Sequence, residues 1–141
     1  MSTAGVEAFD STLQKTSQWL DDLMADMDWQ DRQQAYSTLR AVLHVLRDRL
    51  TAEEAADLGA QLPMLIRGFY YDGWRPADKP LKYRRKEEFL DQVNEKYQRL
   101  QGMELERAVN TVFKILSKYV TEGEIEDIKS QLPPEVRALW V

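Results

Sequence analysis

Aromatic rings interleaved with cations form the segment of this sequence with most chemical potential: Phe69, Tyr70, Tyr71 and Trp74 are followed by Arg75, Lys82, Arg84 and Arg85. Rings and cations in alternation can stack bases and neutralise phosphates, or they can anchor a protein interface. The plainer alternative is that Phe69 and Tyr70 fill a core while the lysines and arginines keep a connecting segment in solution. The interface reading makes these eight residues the candidate interaction surface.

The charge pattern narrows the choice. The chain carries a formal net charge of −5, yet residues 72–86 hold six basic side chains against Asp72 and Asp78. The field of the whole molecule repels phosphate, so a nucleic-acid partner is not expected beyond that one stretch.

Carboxylates supply the next candidates. Asp57 with Arg67, and Asp127 with Arg137, have the types and spacing of charge-assisted pairs that lock one short helix to the next. A ligand-binding use of these pairs is the sharper reading, and a structural use is the expectation. Glu54 and Glu124 each stand three residues after a threonine, the spacing of a capping box. Gln61 and Gln131 fall where helix-end carbonyls need donors. Asp21, Asp22, Asp26, Asp28 and Asp31 crowd one region, and paired carboxylates can hold a divalent cation or act as acid and base. Their spacing diverges around a helix and offers no calcium loop. A solvated face is expected, or an edge that docks the basic linker. His44 is the single histidine and aligns with Lys114, which points to an exposed polar position. With no cysteine and no second histidine, no ordinary zinc site can form, and no nucleophile stands beside the imidazole. No glycine-rich phosphate loop or hydrolase motif occurs. No catalytic residue, metal ligand or cofactor is therefore expected.

These residues sit on a chain that repeats itself. A gap-free shift of seventy aligns Val42–Arg67 with Val112–Arg137, and nine of the 26 positions are identical: Val42, Leu46, Thr51, Glu54, Asp57, Gln61, Leu62, Pro63 and Arg67 with their counterparts. Chance supplies about two. Upstream, Trp19 aligns with Phe89 and Leu23 with Val93. Apolar residues recur at helical steps in Val6, Phe9, Leu13, Thr16, Leu20, Leu23 and Met27, and again in Ala35, Leu39, Val42, Leu43, Leu46 and Leu50. Thr51-x-x-Glu54 and Thr121-x-x-Glu124 open a shorter helix in each copy, and Gln-Leu-Pro closes it. A short terminal helix follows, Met64 to Tyr71 and Pro134 to Trp140. The fold class read from this is all-α, a compact helical bundle of two tandem four-helix repeats. The repeats span 17–71 and 87–141, joined by the basic linker 72–86, within a single domain over 1–141. A unit of about 55 residues buries too little core alone, so the copies are expected to pack together.

The doubled signature, a long helix ending L-x-x-x-(L/V)-T-x-x-E-x-x-D followed by Q-L-P and a nearby arginine, together with Tyr70-Tyr-Asp-Gly-Trp74, resembles the bacterial family catalogued as domain of unknown function 2267. The resemblance implies an all-helical cytosolic protein and carries over no activity and no catalytic residues.

Residues 1–10 lack the basic and apolar regions of an export signal, no apolar run reaches about 18 residues, and cysteine is absent, so a cytoplasmic protein without a membrane span is expected. The expected function is non-enzymatic, a small protein–protein interaction or adaptor module. The alternative is a small-molecule-binding protein with an apolar cavity between the copies, where Met64, Phe69, Tyr70, Phe113 and Trp140 would converge.

Overall fold

A computed structural model describes residues 5–141. Eight α-helices follow in order: α1 (Glu7–Met27), α2 (Arg32–Arg49), α3 (Ala52–Gln61), α4 (Met64–Tyr71), α5 (Lys86–Lys96), α6 (Gly102–Tyr119), α7 (Glu122–Gln131) and α8 (Pro134–Arg137), with one 3₁₀ turn at Pro76–Asp78. No strand occurs among the described residues.

Local chemistry sets the boundaries. Glu7 and Asp10 lie in the first turn of α1, where negative charge suits the helix dipole. Asp28 ends that helix in the left-handed conformation, at φ 58°. Asp31 caps α2 by accepting from the Gln33 amide at 2.9 Å. Thr51 and Thr121 cap α3 and α7, accepting from the amides of Glu54 and Glu124 at 3.2 and 3.4 Å. Both helices stop at Gln-Leu-Pro, as proline requires. The bounds of α2 and α3 recur seventy residues later as those of α6 and α7, while α1 with 21 residues is much longer than α5 with 11.

α2 runs through the middle, packed against α1, α4, α5 and α6. Every residue from Ala41 to Leu50 is buried. Burying one Leu or Val side chain there contributes about 1.5–3 kcal/mol. Ring contacts add direction. Trp19 on α1 stacks on Tyr119 of α6 at 5.1 Å, and Phe113 stacks on Trp140 at 4.2 Å while meeting Phe89 edge-on at 5.8 Å.

Two expectations need correction. His44 is not an exposed polar residue: it is 3% exposed, because α2 is covered on all sides and has no solvent face at that position. The apolar stripe of the first helix is buried only in its second half. Thr16, Leu23 and Met27 are covered, whereas Val6, Phe9 and Leu13 are 44%, 52% and 45% exposed.

Candidate functional site

Where α3 meets α7, the capping arrangement departs from the capping-box expectation. Each threonine hydroxyl accepts from the glutamate amide as foreseen, but the return bond comes from the opposite helix. Thr121 N–H donates to Gln61 Oε1 at 2.9 Å, and Thr51 N–H donates to Gln131 Oε1 at 3.1 Å. The glutamine amides also engage: Gln61 Nε2 donates to Thr121 Oγ1 at 3.1 Å, and Gln131 Nε2 to Glu54 Oε1 at 3.4 Å. The glutamines thus cap the start of the facing helix rather than donate to the end of their own.

Released from that duty, Glu54 and Glu124 turn inward and are 7% and 8% exposed. One carboxylate oxygen from each, with one from exposed Asp57, lie within 4.8 Å of one another. Oε2 of Glu54 and Oε2 of Glu124 are buried and accept no hydrogen bond from any residue outside this pair. Burial pushes the Glu124 carboxyl up to about 8, and a hydrogen bond and charge repulsion with Glu54, then the charges of Asp57 and Asp127, push it the same way. Sequence spacing hides this meeting, since it depends on α3 facing α7. The available signal was a glutamate identical in both halves.

Arg67 and Arg137 do not pair with Asp57 and Asp127. Arg67 donates to the carbonyls of Gly59 and Leu62, both at 3.0 Å, and Arg137 to those of Lys129 and Leu132 at 3.0 and 2.9 Å. Carbonyls at the helix end, at the negative end of the dipole, are the better partner for a guanidinium. Gly59 has a second role: a Cβ there would collide with the Tyr71 ring.

The aromatic and basic residues separate. Tyr70 is fully buried and donates its hydroxyl to the Ala55 carbonyl at 2.6 Å, so it belongs to the core and not to an interaction surface. Tyr71 packs edge-on to Tyr70 and against Trp74, both half-buried. Phe69, also half-buried, meets Tyr36 edge-on at 5.2 Å. Arg75, Lys82, Arg84 and Arg85 are exposed, Arg75 lying 3.9 Å from Asp78 and Arg85 3.7 Å from Glu87. The linker itself is strapped to the end of α2. Leu81 N–H donates to the Asp48 carbonyl at 2.9 Å, and Arg49 to that of Tyr83 at 2.9 Å. Arg47, paired with Asp48 at 2.9 Å, donates to the carbonyls of Tyr70 and Asp72. The aspartates of α1 engage α2 and α6 rather than the linker: Asp21 meets Arg32 at 2.6 Å, Asp22 meets Lys118 at 3.0 Å and Tyr119 at 2.6 Å, and Asp26 meets Lys114 at 3.7 Å.

His44 Nε2 lies 2.6 Å from the Phe69 carbonyl. Burial drives its pKa down to about 4 against that bond, helped by the charges of Arg47, Arg40 and Lys96. A carbonyl only accepts, so the neutral ring carries its proton on Nε2.

The exposed half of the α1 stripe faces α4. Phe9, Leu13, Met64, Leu65, Gly68 and Phe69 border an apolar groove of about 490 Å³. Thr12 fixes its floor, accepting from the Leu65 amide at 2.8 Å where α4 has no cap of its own. A mixed cavity of about 560 Å³ lies beside it, lined among others by Lys15, Trp19, Gln61, Arg67 and Tyr119. Met64, Phe69, Tyr70, Phe113 and Trp140 do not converge: the first two border the groove, Tyr70 sits under α3, and the last two stack on each other.

An all-α protein with paired helix starts and an open apolar groove is the class defined by this geometry. The chain belongs to the family described as Uncharacterized conserved protein (DUF2267), whose model matches residues 16–139. No curated protein matches the chain. No helix among the described residues is long and apolar enough to cross a membrane.

Proposed function

We propose that this chain is a non-enzymatic protein-interaction module whose contact surface is the α1–α4 groove. One observation carries the reading: Phe9 and Leu13 on α1, with Met64 and Leu65 on α4, are between 41% and 54% exposed and line one groove. Contiguous exposed apolar side chains of this kind mark interaction sites. A groove between two helices suits the apolar face of a third, presented by a partner as an amphipathic helix. Of the eight candidate interaction residues, Phe69 borders this surface, and the basic linker residues do not.

The test places a photo-crosslinking amino acid at Leu13 or at Gly68 in the native cell, with Lys82 as the control position. A discrete crosslinked protein from Leu13 and Gly68, lost on Met64→Glu, is the expected result. Equal labelling from all three positions would count against the groove.

The duplication of a four-helix unit, 17–71 and 87–141, belongs to the same reading. It is supported by the seventy-residue offset of helix bounds and by the reciprocal Gln–Thr bonds. The absence of cysteine suits a reducing, cytoplasmic compartment. A second reading, binding of a small acidic molecule, rests on Lys15 and Arg67 beside Trp19 in the mixed cavity. Quenching of tryptophan fluorescence by such a ligand, abolished in Lys15→Ala, would favour it.

A further inference from the structure

We propose that Glu54, Asp57 and Glu124 form a binding site for a hard divalent cation such as calcium at the α3–α7 junction. The three carboxylate oxygens lie within 4.8 Å of one another. Oxygens that share one calcium ion, each about 2.4 Å from it, lie no farther apart than this. Clustering is not the only observation. Glu54 and Glu124 are more than nine-tenths buried, and Oε2 of each has no hydrogen-bond donor outside the pair. A buried carboxylate oxygen without a donor is costly and calls for a positive partner. The protein supplies none: among the described residues no Lys or Arg lies within ion-pair distance of Glu54, Asp57, Glu124 or Asp127. Elsewhere the chain does match its acids, as Asp22 with Lys118 and Asp26 with Lys114 show.

Hard oxygen donors select calcium or manganese over softer ions. The geometry assigns Glu54 and Glu124 as the inner ligands joining the two helices, and Asp57 as the outer one, with water completing the sphere. Cation binding then bridges α3 to α7.

The experiment titrates calcium chloride, and separately magnesium chloride, into chelator-stripped full-length protein at pH 7.5, read by calorimetry and thermal melting. One-site saturable calcium binding is expected, with Tm rising by roughly 5–10 °C at a hundredfold excess over Kd and a smaller response to magnesium. Glu124→Gln should lose that binding. Asp57→Asn, an exposed change that leaves the metal-free fold intact, should weaken it at least tenfold. No heat and no Tm shift with calcium or manganese would overturn the proposal, and a shared proton between Glu54 and Glu124 would then neutralise the pair. Calcium binding undiminished in both variants would overturn it equally.

Discussion

Gln61 Oε1 accepts the backbone N–H of Thr121 at 2.9 Å, sixty residues away and on another helix. The reciprocal bond, from Thr51 N–H to Gln131 Oε1, is 3.1 Å. Each helix start among α3 and α7 is therefore completed by the end of the other. Gln61→Ala or Gln131→Ala strands a helix-start amide and is expected to cost about 1–2 kcal/mol in denaturant unfolding. The double variant should cost roughly the sum, since the two bonds have separate partners.

Metal-free protein should grow less stable as pH rises. The Glu124 carboxyl, ordinarily near 4.5, is held up to about 8 by burial and by the facing acids Glu54, Asp57 and Asp127. An acid with a raised folded pKa contributes its full stability below the unfolded value, and loses it as pH climbs from about 4.5 to about 8. The slope is at most about 1.4 kcal/mol per pH unit. Glu124→Gln should flatten this profile and be the more stable protein at pH 8, as urea titrations at several pH values would show.

His44 sends the dependence the other way at acid pH. Its pKa is lowered from 6.5 to about 4, so the neutral ring stabilises the fold fully above about 6.5, and that contribution is lost as pH falls towards 4. NMR titration of the imidazole should show no protonation between pH 7 and 5. His44→Leu should remove the acid sensitivity at a cost of about 1–3 kcal/mol, from the Phe69 carbonyl left without its donor.

Arg137→Ala should loosen α8 and lower stability by about 1 kcal/mol, through loss of the bonds to Lys129 and Leu132. A double-mutant cycle with Asp127→Ala should give a coupling within about 0.5 kcal/mol of zero, because the two side chains do not pair. A larger coupling would restore the pairing expected from sequence.

Local signals in the sequence located the helices well and the site poorly. Thr51 and Thr121 announce the starts of α3 and α7, and Pro63 and Pro133 their ends, because capping and proline effects act within one turn. The destination of the Glu54 side chain is set by a glutamine 77 residues away, which no local rule reaches. Periodicity placed Val6, Phe9 and Leu13 on one face correctly but is silent on whether that face is covered. His44 is buried although its counterpart Lys114 is exposed. The two positions differ in surroundings, since α2 is enclosed by four helices and Lys114 points outward to Asp26.

Leu81 and Tyr83 are tied to Asp48 and Arg49, while the basic side chains of Lys82 and Arg84 between and beyond them are exposed. Brief trypsin treatment should sever the linker after exposed Lys82 or Arg84, because proline follows both Arg75 and Lys79 and blocks cleavage there. The two fragments should then stay associated through Trp19 against Tyr119 and through the glutamine–threonine exchange, so the covalent tether is dispensable once folding is complete.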